Sequence, residues 1–103
     1  MSGSGIDLSG YKEKAVSAEN NFTDWVRIGD MGIVDIIDTD SGSMTLTLQK
    51  QTKGGTVLDV DTKTGAGTFT FIGGGADMWR FGCKTGDYTS GTFTVGLQNA
   101  FDR

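Results

Sequence analysis

The sequence predicts an all-β fold, a single antiparallel β-sandwich of about seven strands preceded by an extended N-terminal arm. Apolar and polar residues alternate with period two along several stretches, glycine-rich turns separate these stretches, and no helical periodicity follows residue 21. The cysteine pair and tyrosine corner of true immunoglobulin domains are missing. Whether the strand order is otherwise Ig-like or jelly-roll-like is left open by these patterns.

Residues 1–21 form the expected arm, because their apolar residues are too sparse to build a core. A helix over residues 12–18 is conceivable but would be marginal in water. A flexible arm of this kind could dock in a groove on a partner, and an N-terminus without a function is the alternative. The residues expected to anchor the arm are Ile6, Leu8, Tyr11 and Val16.

The sandwich domain is expected over residues 22–103. Its seven strands are predicted at 22–28, 31–38, 44–51, 56–61, 67–72, 77–84 and 91–98. Residues that favour turns lie between these stretches, because glycine adopts the positive φ that tight turns require. The predicted turns include Gly29-Asp30, Asp40-Ser41-Gly42, Lys53-Gly54-Gly55, Thr64-Gly65, Gly73-Gly74-Gly75 and Gly86-Asp87.

Three strands show a clear division into an apolar and a polar face. Successive side chains of a strand point to opposite sides of the sheet, so every second residue is expected to face the core. Threonine is the commonest residue between the apolar positions and suits a pleated, polar surface. The predicted inward residues are Met44, Leu46 and Leu48; Phe69 and Phe71; and Phe93, Val95 and Leu97.

Two further strands have less regular patterns. The stretch 22–28 offers Phe22 and either Val26 or Ile28 as apolar residues. The stretch 31–38 is rich in β-branched residues, which predicts a more deeply buried strand.

The composition disfavours several classes of function. The chain contains no histidine, carries a formal net charge of -4, and has one cysteine, which cannot form an internal disulfide. An acidic balance argues against a nucleic-acid partner, whose phosphates require a basic surface. No apolar run approaches the roughly 20 residues of a membrane helix, so a soluble chain without an export signal or a membrane partner is expected.

No arrangement of residues predicts catalysis, a metal site or a cofactor. Cys83 lies in an alternating strand and is expected to pack as a small apolar residue. The stretch 38–42 is similar to the opening of a calcium loop, but Gln49 stands where the bidentate glutamate would be, and a turn explains it equally well. The remaining candidates are carboxylates at ordinary solvent-facing positions: Asp35, Asp38, Asp40, Asp59, Asp61 and Asp77.

The larger aromatic residues allow two interpretations. Trp25, Trp79 and Tyr88 would form a platform for stacking sugars if they were exposed on one face. The favoured interpretation places Trp79 and Phe81 in the core opposite an outward Met78, with Trp25 capping the sandwich.

The C-terminal part of the chain resembles small β-sandwich proteins from the particles of tailed bacteriophages. Residues 79–97 read WRFGCKTGDYTSGTFTVGL, in which the segment GDYTSGT at 86–92 is the most distinctive part. Residues 46–51, LTLQKQ, followed by the turn at 54–56, are similar to the central strand of those proteins. The chain departs from the family in having Gly96 where an arginine usually precedes the final leucine.

This resemblance implies a structural protein of the virion, and within that class one that decorates or cements the capsid. The implied partners are the major capsid protein and further copies of the chain, as a homotrimer on the capsid surface. A component of the neck, tail or a head fibre is an alternative within the virion. A carbohydrate-binding module for attachment to the host surface is an alternative of another class.

Overall fold

The computed structural model describes residues 11–74 and 77–100. Over these residues the chain forms nine β-strands and no helix, which confirms the predicted all-β class. None of the described residues belongs to a helix long and apolar enough to cross a membrane. The strands are β1 (Tyr11–Val16), β2 (Asn21–Phe22), β3 (Val26–Ile28), β4 (Met31–Asp38), β5 (Ser43–Gln51), β6 (Val57–Lys63), β7 (Gly67–Ile72), β8 (Asp77–Ser90) and β9 (Phe93–Asn99).

The strands form two antiparallel sheets. The first sheet has the order β1-β9-β4-β7, and the second has the order β2-β8-β5-β6, with β3 also paired to β8. Because β2 and β3 pair with different parts of β8, they act as two halves of one strand. The strands therefore pair in a nested order, as in one long hairpin: β1 with β9, β2 and β3 with β8, β4 with β7, and β5 with β6. This long hairpin is folded over so that β4 also pairs with β9 and β5 also pairs with β8. The result is a jelly-roll sandwich.

The hydrophobic core lies between the two sheets. It contains the residues of β5 and β9 that alternation predicted to face inward, all of them almost completely buried. Phe69 and Phe71 of β7 are partly buried and pack against the core from the edge of the first sheet. The buried apolar residues are Val16, Val26, Ile28, Val34, Ile36, Met44, Leu46, Leu48, Trp79, Phe81, Cys83, Phe93, Val95 and Leu97.

The predicted strand 22–28 is divided in two by Thr23. The backbone N–H of Thr23 donates to the carbonyl oxygen of Phe81 at 3.0 Å, and its hydroxyl accepts from the N–H of Phe81 at 3.2 Å. The hydroxyl therefore takes a place that a backbone carbonyl would have in a continuous ladder. Phe22 lies before this break and is only partly buried, whereas both apolar residues of β3 are in the core.

The turn predicted at Gly86-Asp87 is a bulge inside β8. The register of β8 against β5 shifts between Met44 and Leu46, and the extra residues of β8 are accommodated there. Gly86 has a φ of 92°, a left-handed conformation that glycine adopts without strain. The strand continues to Ser90, so β8 is longer than the alternation predicted.

The N-terminal arm predicted over residues 1–21 differs from the structure at residues 11–16 and 21, which belong to strands, whereas residues 17–20 are an exposed connection. Residues 11–16 form β1, which pairs with β9 along its whole length, and Val16 lies opposite Phe93 with no exposed surface. The strand also excludes a helix over residues 12–18. The sandwich therefore includes β1, and only residues 1–10 of the predicted arm lie outside the described residues.

Candidate functional site

A cluster of aromatic and polar side chains surrounds Arg80 on the outer face of the second sheet. Its neighbours Trp79 and Phe81 are buried in the core, so alternation directs Arg80 outward. The guanidinium carbon of Arg80 lies 4.2 Å from the centre of the Phe22 ring and 4.7 Å from that of Trp25. Both distances are within the range of cation–π attraction, so two rings hold this guanidinium in place.

A chain of hydrogen bonds runs from Arg80 across the sheet. Nε of Arg80 donates to Oε1 of Gln49 at 2.8 Å, and the amide nitrogen of Gln49 donates to Asp59 at 2.8 Å. The second carboxylate oxygen of Asp59 accepts from Nζ of Lys84 at 2.6 Å. Gln49 is buried, so the middle of this chain is fixed and the orientation of the guanidinium is fixed with it.

The charged side chains of this hydrogen-bond network are ionised at neutral pH. Hydrogen bonds from Lys84 and then Gln49 hold the pKa of the Asp59 carboxyl below its usual range, and the bond to Asp59 raises the pKa of Lys84. Burial lowers the pKa of the Arg80 guanidinium, but an arginine remains protonated in proteins. Arg80 is therefore a partly buried, oriented cation.

An open groove of about 430 Å³ adjoins the cluster on the same face. In the strand register Arg27 lies opposite Met78, and Met78 lies opposite Gln51, two residues along from the row that contains Arg80 and Gln49. Residues two apart on a strand share a face, so the two rows are neighbours about 7 Å apart. We call this surface the Arg80 face, formed by Phe22, Trp25, Arg27, Gln49, Gln51, Met78 and Arg80.

The Arg80 face contains two positively charged side chains, those of Arg27 and Arg80. Arg27 is exposed and lines the groove together with Lys53 and Asp77, and the Asp77 carboxylate is paired with Lys50 at 3.0 Å. Over residues 11–74 and 77–100, the carboxylate ion pairs are made by Lys50, Lys63 and Lys84, and by neither arginine. The face therefore offers guanidinium donors on a chain whose net charge is -4.

Of the four residues predicted to anchor an arm, the structure describes Tyr11 and Val16. Val16 is in the core and Tyr11 lies on the outer face of the first sheet, so both belong to the sandwich. Ile6 and Leu8 lie outside the described residues.

Tyr11 packs on the outer face of its own sheet. It lies next to Gly96 of β9, where an added Cβ would come within 2.9 Å of the tyrosine hydroxyl oxygen. The hydroxyl donates to Glu13 at 3.0 Å. A larger side chain at residue 96, such as arginine, would displace this ring.

The three aromatic residues considered as a sugar platform do not share a face. Trp79 is buried in the core as predicted, with its ring centre 4.6 Å from that of Phe71. Tyr88 is partly buried, and its hydroxyl donates to the carbonyl oxygen of Gly91 at 3.0 Å. Trp25 does not cap the sandwich; it lies against Arg80 on the outer face.

Each of the candidate carboxylates has a partner within the protein. Asp38 and Asp40 accept hydrogen bonds from backbone N–H groups of Gly42 and Thr92, as expected for turn residues. The described residues contain no group of three or more potential metal ligands of the His, Cys, Asp and Glu types. Of the other four carboxylates, Asp35 contacts Thr68 and Asp59 contacts both Gln49 and Lys84. Asp61 contacts Lys63, and Asp77 contacts Lys50.

Asp59 and Asp61 are two residues apart, which in a regular strand would place them on one face, but in β6 they lie on different faces. The register of β6 against β5 shifts so that Asp59 lies opposite Gln49 and Asp61 lies opposite the inward Leu48. The bulge between them leaves Val60 without a register partner and turns the two carboxylates to different sides. A pair of catalytic carboxylates is therefore not formed at this strand.

Cys83 is a core residue, as the alternation predicted. It is fully buried, and this burial is the main reason that the pKa of its thiol is raised. The negative charges of Asp87 and Glu19 raise the pKa further. Both effects reduce the fraction of thiolate, which is the reactive form.

The β6 strand is an exposed edge of the second sheet. It ends the sheet and pairs only with β5 within the described residues. Three of its apolar side chains are exposed over nearly half of their surface: Val57 at 42%, Leu58 at 45% and Val60 at 49%. An edge strand with exposed apolar residues is a surface to which another chain can add.

Comparison with known proteins supports the fold alone. No protein-family model and no curated protein matches the chain. The crystal structure of the Yersinia pseudotuberculosis-derived mitogen is similar, with a TM-score of 0.51 and 13% sequence identity. The similarity covers 95% of this chain and 82% of that chain. At this level of identity, the neighbour supports a β-sandwich and carries no function to this protein.

The Arg80 face was not identified from the sequence, because its residues come from distant parts of the chain. Phe22, Gln49 and Arg80 are joined only by the pairing of β2, β5 and β8. One local signal was present: Arg80 stands between two core aromatic residues, so the alternation already places its charge on the outer face.

Proposed function

We propose that this chain is a structural protein of a tailed-bacteriophage particle that decorates or cements the outer surface of the capsid. The observation that carries the proposal is the resemblance of residues 79–97 to small virion proteins. Its most distinctive segment, 86–92, spans the bulge at Gly86 and the turn into β9. Tyr88 and Asp40 brace this turn through Gly91 and Thr92, so the shared residues are ones that shape the fold.

The exposed surfaces of the sandwich support a docking role. The β6 edge combines unpaired backbone groups with three exposed apolar side chains, which suits strand addition by a partner. Many identical contacts of this kind across a shell would give strong attachment although each one is weak. A net charge of -4 favours dispersion of the free chain before it binds.

The partner in this proposal is the major capsid protein, and further copies of the chain form a homotrimer at the symmetry axes. The N-terminal contribution to docking is limited to residues 1–10, with Ile6 and Leu8 as its apolar anchors, because β1 already belongs to the sandwich. Removal of residues 2–10 is expected to weaken attachment while the sandwich remains folded.

The copy number in purified particles tests the proposal. Quantitative mass spectrometry of intact particles of the encoding phage is expected to find hundreds of copies, in a fixed ratio to the major capsid protein. About a dozen copies would favour the neck, the tail or a head fibre. Absence of the chain from assembled particles would contradict any virion role.

A further inference from the structure

We infer that the Arg80 face binds carboxylates presented by an extended acidic segment of a partner protein. The inference rests on the proposed function, because it specifies the chemistry of the capsid surface that this chain would contact. The argument begins from the guanidinium of Arg80. Its Nε group is used by Gln49, and its terminal nitrogens have no hydrogen-bond partner within residues 11–74 and 77–100.

The free edge of the guanidinium is pre-oriented for an acceptor. The rings of Phe22 and Trp25 fix its position, and the bond to the buried Gln49 fixes its rotation. An oriented guanidinium loses little side-chain entropy on binding and presents two parallel N–H donors, the geometry that a carboxylate accepts.

The position of a second cation, Arg27, predicts the spacing between the acidic residues of the ligand. Arg27 lies in the next row of the same face, beside the groove of about 430 Å³. Rows two residues apart are separated by about 7 Å, which is also the distance between alternate side chains of an extended peptide. A segment with acidic residues at positions i and i+2 therefore fits Arg80 and Arg27 together.

The same geometry disfavours a sugar as the ligand. Stacking of a sugar requires an open aromatic face, and the Arg80 guanidinium already packs against both Phe22 and Trp25. The groups left to recognise a ligand are charged donors, which select an anion by hydrogen bonding. A long polyanion is disfavoured by the overall charge of -4.

The test is a calorimetric titration of the full chain with a synthetic peptide that carries glutamate at alternate positions. The salt concentration is about 0.15 M, at which exposed charges are screened beyond about 8 Å. Saturable binding is expected, and the matching glutamine peptide is expected not to bind. Arg80→Gln should weaken binding by about tenfold or more, since it removes the charge-assisted hydrogen bonds to the carboxylate. Arg80→Lys should also weaken binding, because an ammonium lacks the two parallel donors.

Two further variants keep the test decisive if Arg80→Gln perturbs the fold. Arg27→Gln changes an exposed residue and should weaken binding several-fold, whereas Lys14→Gln removes an exposed charge from β1 and should leave it unchanged. Equal losses in these two variants would show a general charge effect and overturn the inference. The inference would also be overturned if the peptide showed no saturable binding. Binding of an oligogalacturonate, a sugar oligomer that carries carboxylates, in place of the peptide would overturn it as well. Because the titration uses no particles, its failure is distinct from a failure of the copy-number measurement.

Discussion

Replacement of Val16 by alanine tests whether β1 is part of the sandwich. Val16 has no exposed surface and lies opposite Phe93 at the end of the β1–β9 ladder. The substitution removes two buried methyl groups at about 0.8 kcal/mol each. A cavity of about 50 Å³ adds about 1 kcal/mol if the surroundings do not relax. The expected loss in the free energy of unfolding is therefore about 2–3 kcal/mol.

The loss can be measured by urea denaturation, with the fluorescence of the buried Trp79 as the probe of the core. For a domain of this size the same change lowers Tm by roughly 10–20 °C. Lys14→Ala is the matched control, because it changes an exposed residue of the same strand and is expected to alter stability by less than about 0.5 kcal/mol. If Val16→Ala is no more destabilising than this control, β1 does not pack on the core. The prediction of an arm over residues 1–21 would then be supported against the strand β1.

Three further predictions concern other parts of the sandwich. Gly82→Ala should destabilise by about 1–3 kcal/mol or more in urea denaturation, because its Cβ would overlap the backbone of Asn21 and Phe22; Gly65→Ala, in open space, should be close to neutral. Burial, the hydrogen bond to Glu13 and nearby carboxylates raise the pKa of Tyr11 from 10.0 to about 12. Ionisation is thus easier in the unfolded chain, so stability should fall as the pH rises from 10 to 12, and Tyr11→Phe should lose that part of the decline; equal slopes for both chains would refute it. Cys83 should react with a thiol reagent only on the timescale of unfolding, and rapid reaction in the native chain would place the thiol outside the core.

The parts of the fold that were predicted correctly depend on local patterns. The inward faces of β5 and β9 follow from strict alternation, since each strand buries every second residue between the sheets. The nested pairing of a jelly roll depends on contacts between distant strands, and alternation contains no information about which strands are neighbours.

The strand β1 was missed because it lies at the edge of a sheet. Lys12 and Lys14 occupy register positions opposite the buried Leu97 and Val95, but at the edge their side chains reach solvent. Only Val16 is buried, so the segment shows no apolar alternation. Charged residues on an edge strand also limit unwanted pairing, which explains why a strand can have the composition of an arm.

The candidate site was predictable only in its individual charges. Alternation directs Arg80 outward, but its rings and its hydrogen-bond partners come from β2, the segment before β3, and β5. The bulge in β6 is what separates Asp59 from Asp61 and brings Asp59 to Gln49. A shift of one residue in register is not visible in the sequence, although it decides which carboxylate joins the network.

Hydrogen–deuterium exchange of the chain, free and bound to the phage capsid that the proposed function assigns as its partner, tests most directly the proposal that the sandwich acts through its docking surfaces. The β6 amides that face away from β5 have no backbone partner among residues 11–74 and 77–100. We predict that exchange over 57–63 slows markedly on the capsid, while exchange in the buried β9 is unchanged. Equal exchange of β6 in the free and capsid-bound chain would contradict the account.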